Sequence, residues 1–441
     1  MEKSRREFLV EGGLASLYAF GASRWAARTR VALVGTGIRC LSLWGAELTR
    51  SYADVAEIVG LCDINRGRVD FARSHLGLDC PAFVDFDAMV KETKPDKVLV
   101  TTVDSTHDSF IIAGMEAGLD VITEKPLTTD ETKCQAILDA QKRTGRKLTV
   151  THNYRYSPQR LRMKELLQQK RIGRVTSVDF HWYLDVYHGA DYFRRWHGKE
   201  RFSGTLFVHK ACHHFDLLNW WLDSEPERVY AQGALDHYGR NHEFRGRRCR
   251  GCPHRERCSF FWDIEKSPLL YDLYVRNESY DGYIRDGCVF SEEIDIYDKM
   301  AAQIRYANGV QVSYSCTTYS PYEGYRIAFN GTRGRLEAWI QERQPWPLES
   351  FDELRVTDNF GETELIRIPH ASGGHGGGDS LMMDHIFRDP GGADPYRQAA
   401  GLREGAMAAL LGIAARKSVK TGEPVSIAGL TSLVPRARSQ G

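Results

Sequence analysis

Residues 30–40 read Arg-Val-Ala-Leu-Val-Gly-Thr-Gly-Ile-Arg-Cys, an apolar run that leads directly into a glycine-rich turn. The run is typical of a buried parallel strand, and the residues that follow, to about Thr49, have the pattern of a helix. Gly35 and Gly37 permit a tight turn and a close approach of the backbone to a pyrophosphate, which the free N–H groups of the next helix would bind. Cys40 stands where the dinucleotide-binding fingerprint usually has a third glycine, so the match is incomplete.

Strands and helices alternate after this turn. A second apolar run, Ile58–Cys62, ends at Asp63, whose carboxylate is suited to bind the ribose hydroxyls of an adenosine and to repel a 2′-phosphate. This favours NAD over NADP, although Arg66 and Arg68 nearby keep NADP as an alternative. We predict further strands and helices at Lys97–Thr101, about 107–117, Asp120–Thr123 and 130–143. The alternation predicts a doubly wound parallel sheet.

Length and composition limit the class of protein. The 441 residues exceed what one hydrophobic core usually serves, so we expect two domains. A content of 42% hydrophobic and 27% charged residues excludes a disordered chain, a collagen and a coiled coil. The net charge of +1 argues against a nucleic-acid partner. No run of about twenty apolar residues occurs, so we expect no stable insertion into a membrane.

The N-terminus has the pattern of an export signal. Residues 4–9, Ser-Arg-Arg-Glu-Phe-Leu, and the mildly apolar run over 12–22 resemble a bacterial twin-arginine signal, which directs folded proteins across a membrane. Glu11, Arg24 and the lack of a small-x-small cleavage site depart from that pattern. We predict that residues 1–28 are the signal and that the protein is periplasmic or exported. The alternative is an N-terminal arm on a cytoplasmic protein.

A lysine follows the strand predicted at 120–123. It belongs to Glu124-Lys125-Pro126, and at the carboxyl end of a parallel strand it points into the crevice where such sheets bind ligands. The chain continues with Asn-Tyr-Arg-Tyr-Ser-Pro at 153–158 and Ile-Gly-Arg-Val at 172–175. In this order and spacing, with the glycine-rich turn, these segments resemble the Gfo/Idh/MocA oxidoreductases, the family of glucose–fructose oxidoreductase and inositol dehydrogenase. The similarity extends over 30–425.

The resemblance implies two domains. It places an NAD(P)-binding Rossmann domain at 29–152 and a substrate domain at 153–430, the latter an α/β domain with an open, mainly antiparallel sheet. Alternating apolar residues over 178–184 and the turns at Asn308-Gly309 and Gly331–Gly334 agree with such a sheet. A helix near 401–417 should pack back on the first domain. Members of the family usually pair through the sheet, so we expect a homo-oligomer, a dimer or a tetramer.

The resemblance also implies an NAD-dependent enzyme, with its cofactor held by the first domain. Because free NAD is scarce outside the cytoplasm, an exported member should keep the cofactor tightly bound. The expected cofactor-binding residues are Gly35, Thr36, Gly37, Ile38, Arg39, Asp63, Thr102, His107, Glu124, Lys125 and Asn153.

Histidine and tryptophan are concentrated between His181 and Trp221. Residues 208–216 have the pattern of the start of a helix, whose period places His209 and His213 on one face. Family members carry a proton-transferring histidine that an aspartate precedes by four residues. His213 corresponds to that histidine, and His209 occupies the aspartate position. We expect Lys125 and His213 to remove a hydroxyl proton while hydride leaves the same carbon, with His209 and Lys210 as further proton carriers.

A sugar or glycoside is the expected substrate, because the segment at 188–196 resembles a branch of the family associated with these compounds. The residues expected to hold it are Tyr154, Arg155, His188, Asp191, Tyr192, Arg194, Arg195, Trp196, His214 and His375. The loop Gly373–Asp379 is similar to a segment of NAD-dependent glycosidases, which cleave through a transient keto-sugar. Glycoside cleavage is therefore an alternative to net oxidation. A non-catalytic sugar-binding protein is a second alternative, because His209 replaces the aspartate.

Four cysteines mark an insertion in the second domain, at about 245–290. Cys249, Cys252, Cys258 and Cys288 have a spacing that suits a structural zinc ion. Disulfides are the rival interpretation in an exported protein, and free thiols are the third. The arginines around these cysteines could form an RNA-binding patch. That interpretation is weak because the segment is short and lacks interleaved aromatic residues.

Overall fold

The computed structural model describes residues 27–437, so nearly all of the predicted export signal lies outside the described residues. The first sheet contains six parallel strands in the order β3-β2-β1-β4-β5-β6, the arrangement of a Rossmann domain. Its strands are β1 (Thr29–Val34), β2 (Ala56–Cys62), β3 (Ala82–Phe83), β4 (Lys97–Val100), β5 (Asp120–Thr123) and β6 (Leu148–Val150). The predicted doubly wound sheet is confirmed.

Local sequence explains these elements. Val31, Leu33 and their neighbours in β1 are almost fully buried, as expected for a central parallel strand. Helices on the two faces begin at residues whose side chains accept a hydrogen bond from the third helical N–H, for example Asn65 and Asp130. Gly145 ends the helix after β5 in the left-handed conformation.

The second sheet contains nine strands in the order β14-β13-β12-β11-β7-β10-β9-β8-β15. β7 and β10 are parallel, and all the other pairs are antiparallel, which confirms the expected architecture. The strands are β7 (Val175–Asp185), β8 (Pro226–Ala234), β9 (Lys299–Tyr306), β10 (Gln311–Ser320), β11 (Glu323–Gly331), β12 (Gly334–Arg343), β13 (Phe351–Asp358), β14 (Thr363–Pro369) and β15 (Val425–Ser426). The predicted hairpins at 308–309 and 331–334 join β9 to β10 and β11 to β12.

Helices pack on both faces of the first sheet and also link the two domains. They are α1 (Ala46–Arg50), α2 (Arg66–His75), α3 (Phe86–Thr93), α4 (His107–Glu116), α5 (Glu131–Thr144), α6 (Pro158–Gln168), α7 (Val186–Arg194), α8 (Glu200–Ser203), α9 (Leu206–His209), α10 (Ala211–Trp221), α11 (Pro268–Leu270), α12 (Glu278–Asp281), α13 (Gly378–Met383) and α14 (Leu402–Thr421). The long helix α14 packs on β8 and α10 and also contacts α5 and β6 of the first domain, as predicted. Within residues 27–437, no helix is long and apolar enough to cross a membrane.

The helix predicted over 208–216 is divided in two. α9 ends at His209 and α10 begins at Ala211, with Lys210 between them. Consequently His209 and His213 do not share a helical face. The His209 ring contacts Tyr192 and Trp196, whereas the ring of His213 lies against Tyr154.

Candidate active site

A cavity of about 1540 Å³ lies between the carboxyl edge of the first sheet and the second domain. Cavities for one small molecule usually measure about 300–1,000 Å³, so this one has room for a dinucleotide and a second ligand. Twenty of the 24 predicted cofactor, substrate and catalytic residues line it: Gly35, Gly37, Ile38, Arg39, Asp63, Thr102, His107, Glu124, Lys125, Tyr154, His188, Asp191, Tyr192, Arg194, Arg195, Trp196, His209, Lys210, His213 and His375.

The glycine-rich turn forms one end of the cavity. Gly35 has a φ of +88°, and a Cβ placed on it would lie 2.8 Å from the carbonyl carbon and oxygen of Thr101. Only glycine fits here, because the turn is both left-handed and in contact with the neighbouring strand end. The resulting cradle of backbone N–H groups fits a pyrophosphate.

Asp63 is held by its neighbours in the turn. One carboxylate oxygen accepts from the backbone N–H of Thr36 at 2.8 Å, and the other accepts from Arg68 at 3.1 Å. Arg68 also pairs with Asp281 at 2.6 Å, and Arg66 pairs with Asp70 at 2.8 Å. Both arginines that left NADP as an alternative are therefore engaged with carboxylates, which favours NAD.

Lys125 stands at the other end, directly after β5. Its Nζ atom donates to the backbone carbonyl of His209 at 3.2 Å, across the boundary between the domains. Burial lowers the pKa of Lys125, even though Asp104 and Glu124 act in the opposite direction. A lowered pKa favours the neutral amine, which is the form that can accept a proton.

Asp104 of the first domain contacts the ring of His209. Oδ2 of Asp104 lies 2.6 Å from Nδ1 of His209, and both side chains are buried. Burial raises the pKa of Asp104, while burial and the nearby charge of Lys125 lower the pKa of His209. Because Nδ1 is engaged with Asp104, Nε2 is the His209 nitrogen left for a ligand in the cavity.

His213 and Lys210 lie around the ring of Tyr154. The His213 ring stacks on it with the ring centres 4.2 Å apart, and Lys210 Nζ donates to the Tyr154 hydroxyl at 3.3 Å. Burial lowers the pKa of His213 well below its usual value, so this imidazole is neutral. Burial also acts to lower the pKa of Lys210, but Tyr192 and Glu323 outweigh it and hold that pKa above the usual value. The raised pKa favours the charged form of Lys210.

The C-terminal glycine loop brings His375 to the same place. Its ring centre is 6.1 Å from that of His213, and its Nδ1 is bonded to Asp379 at 2.8 Å. Asn153 donates to the other oxygen of Asp379 at 2.6 Å. His375 therefore lines the cavity near His213, and its orientation is fixed by a carboxylate.

Polar side chains of the second domain close the substrate end. Nδ1 of His188 is bonded to Glu323 at 2.7 Å, and its Nε2 is bonded to the Tyr192 hydroxyl at 3.0 Å. Asp191 lies between Arg195, at 2.9 Å, and a residue of the insertion, Arg285, at 2.6 Å. These groups offer several donors and acceptors to a ligand with many hydroxyl groups.

Four predicted site residues do not reach the cavity wall. Thr36 and Asn153 support it from behind, through Asp63 and Asp379 respectively. Arg155 points away from the cavity into a buried bidentate pair with Asp216, at 2.6 and 2.7 Å. His214 stacks on Trp182 inside the core of the second domain, and its Nδ1 is bonded to the Tyr314 hydroxyl. Arg155 and His214 therefore have structural positions rather than the expected contact with substrate.

Several lining residues were missed by sequence analysis. Asp104 follows β4, so the rule that found Lys125 at the end of β5 could have found it. Glu323 begins β11 and Tyr274 belongs to the insertion, and neither carries a local signal. Arg160 lies on α6 with its guanidinium 4.0 Å from the centre of the Tyr154 ring and a 2.8 Å bond to Glu342.

The zinc site expected in the insertion is not supported. Cys249, Cys252, Cys258 and Cys288 line one small pocket, but among the described residues no three metal-ligating side chains are arranged to hold an ion. All ten cysteines of the chain are described and none forms a disulfide, so the third alternative, free thiols, applies. Arg194 donates to Cys249 Sγ at 3.1 Å and also to the carbonyl of Phe260, so a guanidinium occupies one side of the group.

Comparisons with known proteins identify the family. Residues 29–152 match the family model described as the NAD-binding Rossmann fold of the Gfo/Idh/MocA oxidoreductases, and residues 164–427 match the C-terminal alpha/beta domain of the same family. The Bacillus subtilis (strain 168) protein YteT is 37% identical over 420 residues, which cover 90% of this chain and 97% of YteT. An inositol 2-dehydrogenase/D-chiro-inositol 3-dehydrogenase of Lactiplantibacillus plantarum is 26% identical over 46% of this chain and 54% of its own length.

Solved structures agree in fold. The WlbA dehydrogenase of Bordetella pertussis, crystallised with NADH and UDP-GlcNAcA, aligns with a TM-score of 0.61 at 20% identity, over 90% of this chain and 98% of its own. At that identity the likeness extends to the fold alone. With both family models matched in order and a relative similar over nearly its whole length, the chain belongs to the Gfo/Idh/MocA family of NAD-binding oxidoreductases.

Proposed function

We propose that the protein is an NAD-dependent dehydrogenase that interconverts a hydroxyl and a ketone on a sugar or glycoside. One observation carries the proposal: Lys125, the Asp104–His209 pair and His213 converge on one end of a cavity whose other end is the dinucleotide turn. A hydroxyl placed at that end meets proton acceptors within reach of the cofactor's reactive ring.

In the proposed reaction Lys125 accepts the proton of the substrate hydroxyl. In its neutral form the amine donates to the carbonyl of His209 and keeps a lone pair for the hydroxyl proton of the substrate. The bound nicotinamide supplies the hydride acceptor, so the carbon loses a hydride as its oxygen loses a proton and a carbonyl forms. His209 and His213, both neutral, can relay the proton or hold the substrate oxygen.

The substrate class follows from the opposite wall. His188, Tyr192, Asp191 and Glu323 present both donors and acceptors. Trp196 lines the same end and offers an aromatic face to a sugar ring. Lys210 stays charged beside Tyr154, which adds a cationic donor for a hydroxyl or a carboxylate of the substrate.

The test is a product screen by mass spectrometry with purified protein, NAD and a panel of mono- and disaccharides, glycosides and inositols. A ketone two hydrogen masses below one of these compounds, formed with NADH, supports the proposal, whereas no reduction of cofactor by any of them overturns it. Lys125→Met should lose activity, and Lys91→Met, which changes an exposed lysine of the same domain, should keep it. Full cofactor reduction would also exclude a non-catalytic sugar-binding protein.

Glycoside cleavage through a transient keto-sugar is the second candidate. It is favoured by His375, which lines the cavity from a glycine-rich loop and is held by a hydrogen bond to Asp379. Such a group could protonate a leaving oxygen after Lys125 has acted on the hydroxyl. Release of the phenol from an aryl glycoside, without accumulation of NADH, would select this reaction over net oxidation.

Export, cofactor retention and pairing are further proposals. We propose that residues 1–28 direct export of the folded protein with its NAD bound, and that the protein works as a homo-oligomer. Fusion of these residues to a folded reporter, with Arg5→Lys and Arg6→Lys as the matched control, tests export by cell fractionation. Light scattering after size-exclusion chromatography tests the oligomeric state.

A further inference from the structure

The insertion between β8 and β9 packs against the first domain. Leu273 and Tyr274 are buried in the same hydrophobic cluster as Val31, Leu33 and Trp44 of the dinucleotide-binding domain. Residues 269–283, called the clasp below, include the turn that carries these two side chains and the short helix α12. A segment of the second domain is thus packed into the core of the first.

The clasp reaches the dinucleotide turn itself. The Tyr274 hydroxyl accepts a hydrogen bond from the backbone N–H of Ile38 at 2.9 Å, and it would lie 3.2 Å from a Cβ placed on Gly37. That N–H is one of the donors the turn offers to a pyrophosphate. A phenol that accepts one hydrogen bond still has its own proton to donate, so the Tyr274 hydroxyl can bond a diphosphate oxygen in turn.

A second set of contacts joins the clasp to the part of the first domain that is expected to bind the adenosine of the cofactor. Asn65 Nδ2 donates to the carbonyl of Asn277 at 2.8 Å. Arg68 bonds Asp281 at 2.6 Å while it also bonds Asp63 at 3.1 Å, so the residue expected to hold the ribose is linked to the clasp by one guanidinium. A Cβ on Gly67 would overlap Asn277, which shows how closely the two segments approach.

Two arginines near Tyr274 have buried N–H groups that lack a hydrogen-bond partner among the described residues. Arg285 is 6% exposed, and within the described part of the chain its Nε and Nη1 atoms have no hydrogen-bond partner. Arg195 Nε is also buried and has no hydrogen-bond partner among the described residues. The charges of both guanidinium groups act on the Tyr274 hydroxyl. Arg195 lines the cavity, whereas Arg285 lies outside the lining and packs on the ring of Trp262. Arg195 is therefore the one of the two that adds positive charge to the cavity wall near Tyr274.

We propose that the clasp is part of the cofactor site: it closes over the bound dinucleotide, donates from Tyr274 to its diphosphate and slows its release. The inference rests on the proposed NAD-dependent function. Exchange of the cofactor then requires the clasp to leave the dinucleotide turn, which breaks the contacts of Tyr274, Asn65 and Arg68 together. This provides a physical reason for a cofactor that stays with the protein through many turnovers.

The experiment measures release of NADH from the full-length holoprotein, by the change in its fluorescence when excess NAD is added. Tyr274→Phe removes the donor to the diphosphate, and Asp281→Asn breaks the bond that links Arg68 to the clasp. We expect release about ten- to a hundredfold faster for Tyr274→Phe, the loss typical of one hydrogen bond to a charged group. Tyr230→Phe is the matched control, because it removes the hydroxyl of an exposed tyrosine on β8, outside the clasp, and should release NADH at the wild-type rate.

The outcomes separate the two proposals. A wild-type protein that binds no dinucleotide overturns the proposed function and the clasp together. A protein that binds NADH normally, with unchanged release in both variants, overturns the clasp alone. Hydrogen exchange provides a measurement that needs no variant: NAD should slow exchange of the backbone amides over 269–283, and equal exchange with and without NAD contradicts the inference.

Discussion

Replacing Asp104 with alanine tests whether the Asp104–His209 pair takes part in the proposed proton transfer. The bond between Asp104 Oδ2 and His209 Nδ1 measures 2.6 Å, and the two residues are 2% and 7% exposed. Alanine leaves Nδ1 buried without its partner, which costs about 1–3 kcal/mol. If the reaction uses His209 in the orientation this bond imposes, kcat should fall about 5- to 150-fold.

Asparagine at the same position separates charge from orientation. Asp104→Asn keeps an acceptor for Nδ1 but removes the carboxylate charge, so we expect a smaller fall in kcat, about fivefold. KM should change little in either variant, because Asp104 acts through His209. Asp87→Asn, an exposed change in the same domain, serves as the control.

The pH dependence of kcat distinguishes this role of Asp104 from a purely structural one, which would leave that dependence unchanged. The charge of Asp104 raises the pKa of Lys125, so its removal lets that pKa fall further below the usual value. A lower pKa keeps the amine unprotonated in more acidic solution. The acidic limb of the kcat profile should therefore move to lower pH in Asp104→Asn. A variant with an unmoved limb and a wild-type kcat would refute this role for Asp104.

Three other changes test different parts of the structure. Lys125→Met should lower kcat about 10²- to 10⁴-fold while bound NAD, measured after acid release, stays at the wild-type level; activity within a few-fold of wild type would remove Lys125 from proton transfer. Gly35→Ala forces a Cβ to within 2.8 Å of Thr101 at a φ of +88°, so titration should find weaker NAD binding, and unchanged affinity would contradict the geometry. Arg155→Met leaves Asp216 buried without its guanidinium, so urea unfolding should show a loss of about 3–5 kcal/mol, and a loss below about 1 kcal/mol would mean that water or another cation replaces the pair.

Local pattern was sufficient for the framework of the site. Three features of the site each depend on one strand and the turn that follows it, where the sequence determines the geometry. They are the apolar run before Gly35, the carboxylate of Asp63 and the lysine after β5. The strand alternation and both hairpin turns are local in the same sense. These features could be predicted because no distant contact decides them.

Residues whose role depends on distant contacts could not be assigned in this way. Arg155 and Tyr154 are neighbours in one short turn, yet Tyr154 faces the cavity and Arg155 faces Asp216, a difference that sequence position does not encode. His209 and Asp104 are separated by 105 residues and meet only because the domains pack together. The break between α9 and α10 at Lys210 likewise gives His209 and His213 different surroundings, where a continuous helix would have aligned them.

Assembly of the proton-transfer groups and docking of the two domains are the same event in this protein. Lys125 belongs to the first domain and bonds the backbone of His209 in the second, while Asp104 of the first domain bonds the ring of that histidine. Arg39 of the first domain similarly lies between Glu124 and Asp379 of the C-terminal loop, at 2.6 and 3.9 Å. Separation of the two domains would break these pairs, and with the Asp104 contact it would remove one of the charges that raise the pKa of Lys125. Recycling of the cofactor in place, as proposed above, would keep these groups assembled between turnovers, so the cross-domain construction of the site is consistent with the proposed retention.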